Sequence, residues 1–218
     1  MAKKTVGGQR TVVPHYEQQY DFTCGPACLM MVFKHFDEGY VMSRENETDL
    51  WRQSALAPLP PTSRYGLALA ALRHGLSADI LTNVKGIEYI SKTPQRLTGR
   101  GARDWTKRFY GFAEAQFEER KLRAVGLGLT EKKVAKIKLP DIEGRLKEGA
   151  LSILLTSARF FEDEDWAHWV VVTGVEGTKV FVNDPASKPA KGHRVFSRDG
   201  FEKLNGYYGD QVAIFINN

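Results

Sequence analysis

The chain has 218 residues and a formal net charge of +5, with 42% of residues apolar, 26% charged, and 12 Phe, 8 Tyr and 4 Trp among them. These proportions belong to a folded globule and exclude disordered, collagen-like and coiled-coil chains. No apolar run approaches the roughly 18 residues of a bilayer span, and the opening MAKKTVGGQR lacks the roughly 7–15-residue apolar segment of a signal peptide. The basic residues, such as Lys132, Lys133, Lys136 and Lys138, are scattered and not interleaved with aromatics, which reads as a solvated face and not a nucleic-acid surface. Two cysteines, Cys24 and Cys28, supply neither a disulfide framework nor a four-thiol zinc set, so a cytoplasmic protein without metal or organic cofactor is expected.

A first helix opens near Cys24. Pro26 suits a first helical turn, and apolar side chains recur at Cys28, Leu29, Val32, Phe33 and Phe36. A second helix is expected around Glu47–Leu56, followed by a loop marked by Pro58, Pro60 and Pro61. An Ala/Leu helix then runs from Tyr65 to a Gly75 cap, with a short strand at Ser77–Leu81 after it. Gly101–Val125, charged and aromatic, reads as a long helix. The last third changes to β-rich runs at Leu151–Thr156, Trp169–Val175, Lys179–Asn183 and Gln211–Ile216. An α part followed by a β part predicts an α+β fold: an N-terminal helix packed on a C-terminal antiparallel sheet, in a single domain over 1–218 with a variable helical segment at about 84–139.

Cys24 is the first candidate for chemistry, because a thiol at a helix N-terminus faces unpaired N–H groups and the positive dipole end, which favour its thiolate. Cys28, one turn further and inside the apolar stripe, reads as a packing residue. A nucleophilic thiol needs a base, and of His15, His35, His74, His168 and His193 the one that opens a strand is His168. A hairpin centred on Glu176 pairs residues whose numbers sum to 352, which sets His168 opposite Asp184 with Cβ atoms about 4.5–5.5 Å apart. A two-residue Glu176-Gly177 turn gives 353 and opposite faces, so the pairing requires an odd loop or a bulge. Thiol, imidazole and carboxylate together supply the nucleophile, base and orienter of acyl transfer. A side-chain amide is also wanted for the oxyanion; Gln18 and Gln19 both lie close before Cys24, and position alone does not choose between them. The acidic run Glu162-Asp163-Glu164-Asp165 reads as a solvated loop ahead of a contact for a basic substrate, and Gly7-Gly8 is too common a pair to mark self-processing.

The stretch Gln18-Gln19-Tyr20-Asp21-Phe22-Thr23-Cys24-Gly25-Pro26-Ala27-Cys28-Leu29, together with His168-Trp169-Val170-Val171-Val172-Thr173-Gly174 and Val180-Phe181-Val182-Asn183-Asp184-Pro185-Ala186, resembles the two signature blocks of the bacteriocin-processing, double-glycine peptidases of the papain-like superfamily. The resemblance implies a papain-like fold, Cys24, His168 and Asp184 as triad, and Gln18, six residues before the cysteine, as oxyanion donor. Tyr65-Gly66-Leu67-Ala68-Leu69-Ala70-Ala71 is similar to the stand-alone branch, which implies a peptide or protein substrate and acetyltransferase or ATP-grasp pathway partners. The transporter's membrane spans and nucleotide-binding domain are missing here, which points away from leader-peptide export. The expected function is amide hydrolysis through a thiol acyl-enzyme. An acyl transferase or deamidase on the same site is the nearest alternative, and a catalytically silent peptide-binding protein is the alternative from another class.

Overall fold

A computed structural model describes residues 10–87, 102–161 and 165–218. Gly7-Gly8, positions 88–101 of the segment expected to vary, and positions 162–164 of the acidic run lie outside the described residues. Pro26 falls in the first turn of helix α1 (Cys24–Phe36), where its missing N–H has no partner to lose, with Thr23 at the N-cap. Every residue from Cys24 to Phe33 is buried, as in a helix enclosed by other elements. Helices α2 (Arg44–Ser54) and α3 (Arg64–Arg73) begin where Ser43 and Ser63 accept the N–H groups of Asn46 and Gly66 through their hydroxyls. The two helices approach so closely at Gly66 that a Cβ there would stand 2.4 Å from the Ser54 carbonyl oxygen. The long helix expected over Gly101–Val125 is present as α4 (Ala102–Gly126).

The strands are β1 (Ser77–Thr82), β2 (Thr130–Lys133), β3 (Leu151–Ser157), β4 (Ala167–Glu176), β5 (Lys179–Asn183), β6 (His193–Ser197) and β7 (Val212–Asn217). They form one sheet in the order β2-β1-β7-β3-β4-β5-β6, antiparallel throughout except for the β1–β2 pair. The sheet therefore reaches past the C-terminal third: β7 takes β1, from the helical half, along its outer side. Helices α5 (Leu139–Lys147), α6 (Pro189–Gly192) and α7 (Arg198–Leu204) lie between strands in the chain. Successive side chains alternate between two cores. Ile153, Leu155, Trp169, Val171, Ile214 and Ile216 pack with α1 and α3, while Leu154, Val170, Val172, Ala213 and Phe215 pack with Ile142 and Leu146 of α5 and Phe201 and Leu204 of α7. With both faces covered, β3 and β4 read in sequence as unbroken apolar runs. No helix among the described residues is long and apolar enough to cross a membrane.

The β4–β5 hairpin differs in detail from the expectation. Glu176 pairs with Lys179 across a two-residue Gly177-Thr178 turn, with Gly177 at φ 57°, and the ladder slips by one residue between Val172 and Gly174. The turn alone would put His168 and Asp184 on opposite faces; the extra residue, Thr173, restores the parity. Beyond it Val172 pairs with Val182 and Val171 with Asn183. One further step sets Asp184 opposite Val170, so His168 and Asp184 are diagonal neighbours on one face and not directly opposed. The Thr173 carbonyl, freed by the bulge, accepts the Thr11 N–H at 2.8 Å.

Leu29→Ala, which empties a fully buried position of α1, is expected to cost roughly 2–5 kcal/mol. Urea denaturation checks this, and a loss below about 1 kcal/mol would mean α1 is not closely packed.

Candidate active site

Cys24 is the first residue of α1, 7% exposed, at the end of the helix where backbone N–H groups lack intrahelical partners. Cys28, a turn further, is fully buried and donates its S–H to the Trp169 carbonyl at 3.3 Å. Burial foremost, then the proximity of Cys24 and Asp184, pushes its pKa well up, consistent with an inert packing thiol.

His168 is buried near the start of β4, with Nε2 2.8 Å from Asp184 Oδ1 and the Phe161 ring set edge-to-face with the imidazole, centroids 5.5 Å apart. Burial alone would lower its pKa. Hydrogen bonds to Asp184 and to Cys24, with the negative charge of both, outweigh burial and raise it to about 10. Since Nε2 faces the carboxylate, Nδ1 is the nitrogen left for the sulfur. The bond to Asp184 thus fixes which edge of the ring the thiol meets.

Asp184 follows β5 in an Asp-Pro-Ala-Ser turn. Its Oδ1 also accepts the Ala186 N–H at 3.1 Å, and Oδ2 accepts the Ser187 hydroxyl. Burial would raise the carboxyl; the His168 contact, the Ser187 hydroxyl and the Ala186 N–H hold it below the usual range. Its main chain is tied as well. The Asp184 N–H donates to Gly192 O at 2.8 Å, and His15 Nε2 donates to Asp184 O at 2.8 Å. A Cβ on Gly192 would stand 1.9 Å from the His15 ring, so a larger residue there would displace that ring from Asp184 O.

The structure separates the two glutamines. The Gln18 N–H donates to Pro185 O at 2.8 Å, beside Asp184, and its half-buried side chain donates from Nε2 to Tyr20 O at 2.9 Å. One of the two amide hydrogens is committed there, and one is left for another acceptor. Gln19 is exposed, and its amide donates to Glu17 O. Two polar side chains at the site went unmarked in the sequence reading. Ser187 could have been found from the Asx-turn pattern of Asp-Pro-Ala-Ser. Glu47, fully buried, accepts hydrogen bonds from Tyr16, Gln19 and Thr23, and no local pattern announces it. Asp165, the described end of the acidic run, is occupied locally by the Ser157 and Tyr208 hydroxyls. Among the described residues no group of three or more His, Cys, Asp or Glu side chains is arranged to hold a metal.

A family profile described as Peptidase C39 like family matches residues 13–200. No curated protein matches. Among solved structures, a candidate C39-like peptidase from Bacillus anthracis superposes with a TM-score of 0.50 at 13% identity, over 96% of this chain and 98% of that one. A double glycine motif protease from an AMS/PCAT transporter, solved in complex with the leader peptide, gives 0.49 at 15% identity over 98% and 100%. The peptidase domain of Streptococcus ComA, a bifunctional ABC transporter of a quorum-sensing pathway, gives 0.47 at 16% over 93% and 96%. The Bacillus anthracis likeness is one of fold, and it matches the papain-like α+β arrangement.

The shifted groups set a pH profile. His168 is raised above its unfolded value of about 6.5, so its contribution to stability is full below that pH and fades as pH rises toward about 10. Asp184 is lowered, so its contribution is present above about pH 4 and lost on acidification. Imidazole NMR is expected to show His168 protonated through neutral pH, and Asp184→Asn to lower its midpoint by more than about one unit; a midpoint near 6.5 in the unaltered chain would contradict the geometry.

Proposed function

The chain belongs to the Peptidase C39 like family, and from that membership we propose that it is a cysteine peptidase hydrolysing an amide bond of a peptide or protein through a thiol acyl-enzyme. The observation that carries this reading is the pairing of His168 Nε2 with Asp184 Oδ1 at 2.8 Å, with Cys24 near enough to help raise the imidazole pKa.

In this mechanism His168 already carries the proton of the Cys24–His168 pair, and the Cys24 sulfur attacks the carbonyl carbon of the scissile bond. The negative charge that develops on the carbonyl oxygen is met by the free hydrogen of Gln18 Nε2 and by the Cys24 N–H at the helix end. Collapse breaks the C–N bond, and His168 gives its proton to the departing amine, leaving a thioester on Cys24. A water molecule, deprotonated by His168, attacks that thioester. The C–S bond breaks, the carboxylic acid leaves, and the proton taken from water stays on His168, which restores the resting pair. Asp184 stays ionised throughout and fixes the tautomer and tilt of the ring. Two free cysteines suit a reducing compartment, and we place the reaction in the cytoplasm.

Digestion of an unbiased peptide library, read by mass spectrometry, tests this. New termini bearing free acids are expected from the unaltered chain and none from Cys24→Ala, which should unfold at the same urea concentration; Gln18→Ala should lower kcat by about 10²–10³. An intact library, with Cys24 alkylated by iodoacetamide no faster than a simple thiol, would overturn the reading. Products joined to an added amine would shift it to acyl transfer.

A further inference from the structure

Glu47 has no part in the steps above, yet it is a carboxylate with no exposed surface, and burying such a group is costly unless its oxygens are satisfied. Among the described residues its hydrogen-bond donors come from one short stretch of chain. Tyr16 Oη donates to Oε2 at 3.0 Å, the Gln19 N–H donates to Oε1 at 2.9 Å, and the Thr23 hydroxyl lies on Oε1. These three residues stand two before Gln18, one after it, and one before Cys24. Thr23 closes the loop further, since its hydroxyl oxygen is also in contact with the Tyr20 main chain. The Tyr20 carbonyl is in turn the acceptor for the Gln18 side-chain amide. The carboxylate is carried in the first turn of α2, where the helix end favours negative charge. Burial, and after it the neighbouring Glu47, push the Tyr16 phenol far above its usual pKa, so it stays a donor.

We propose that Glu47 is a positioning residue, which clamps the Tyr16–Thr23 segment so that the Gln18 amide is held at the N-terminal end of α1. Its catalytic consequence rests on the peptidase reading, while the clamp itself is a statement about the segment. Losing the acceptors frees the Tyr16 hydroxyl and the Gln19 N–H at once, leaves Thr23 only its contacts with Tyr20, and unties the flanks of Gln18 from α2. Glutamine at the same position keeps an oxygen where Gln19 and Thr23 converge and can turn its NH2 to the Tyr16 oxygen.

Hydrogen exchange by mass spectrometry on the unaltered chain, Glu47→Gln and Glu47→Leu decides the clamp. Exchange over residues 16–24 is expected to rise at least about tenfold in Glu47→Leu, with β3 and β4 unchanged, and to stay near the unaltered rate in Glu47→Gln. In library digestion, Glu47→Leu should lose about 10²–10³ in kcat with KM within about threefold, match Gln18→Ala, and add little to it in the double variant. Alkylation of Cys24 by iodoacetamide, which develops no oxyanion, should change by less than about threefold. Losses that multiply in the double variant, exchange that rises throughout the protein, or exchange that does not rise at 16–24 would overturn the proposal. If Glu47→Leu does not fold, Tyr16→Phe with Thr23→Val removes two donors, keeps the carboxylate and takes its place. If the unaltered chain cleaves nothing, the peptidase reading falls, and exchange alone judges the clamp.

Discussion

The contact between His168 Nε2 and Asp184 Oδ1 is the constraint around which the site is built. Both partners are buried, and a buried ionic pair stabilises only when its remaining polar atoms are also satisfied. Ser187 and the Ala186 N–H supply that for the carboxylate. The alignment of three side chains therefore depends on a turn after β5 that keeps its shape. The Asp184 N–H and C=O are both engaged, by Gly192 and His15, so the carboxylate is presented from a main chain held on two sides.

The segment from Thr11 to Gln18 joins the parts of the chain that meet at the site. Thr11 donates to Thr173 at the bulge, the Asn183 amide donates to Val13 O, His15 donates to Asp184 O, and Gln18 donates to Pro185 O. His193 Nδ1 pairs with Asn183 Oδ1 at 2.7 Å and completes the set beneath the hairpin. The amide proposed for the oxyanion and the carboxylate proposed to orient the base are thus adjacent through a single main-chain hydrogen bond, from Gln18 to the residue after Asp184, although 166 positions separate them in sequence.

What could be read in advance follows from periodicity and punctuation. Pro26 and the apolar spacing from Cys28 to Phe36 marked α1, and the branched runs at Leu151–Thr156 and Trp169–Val175 marked β3 and β4. β2 (TEKK) and β6 (HRVFS) escaped because they are edge strands, mostly exposed and charged, with no apolar alternation to display. The slip at Thr173 was invisible because Val-Val-Val-Thr-Gly looks uniform; only the pairing shows which residue is extra. Gln18 and Gln19 are identical in type and adjacent, so their difference is tertiary: one is tied to Pro185 and the other faces water. Glu47 lay in a stretch read only as helix, because its partners are 24 to 31 positions away.

The one-residue slip carries a rule for how this hairpin can change over time. A ribbon has two sides, and the number of residues between the imidazole and the carboxylate, fifteen here, must stay odd: a two-residue Gly177-Thr178 connection between unbroken strands would make it even, and Thr173 restores the odd count. Insertions or deletions here are tolerated in compensating pairs, so a descendant that lengthens the connection by one can straighten the strand, and a descendant that straightens the strand alone parts its imidazole from its carboxylate.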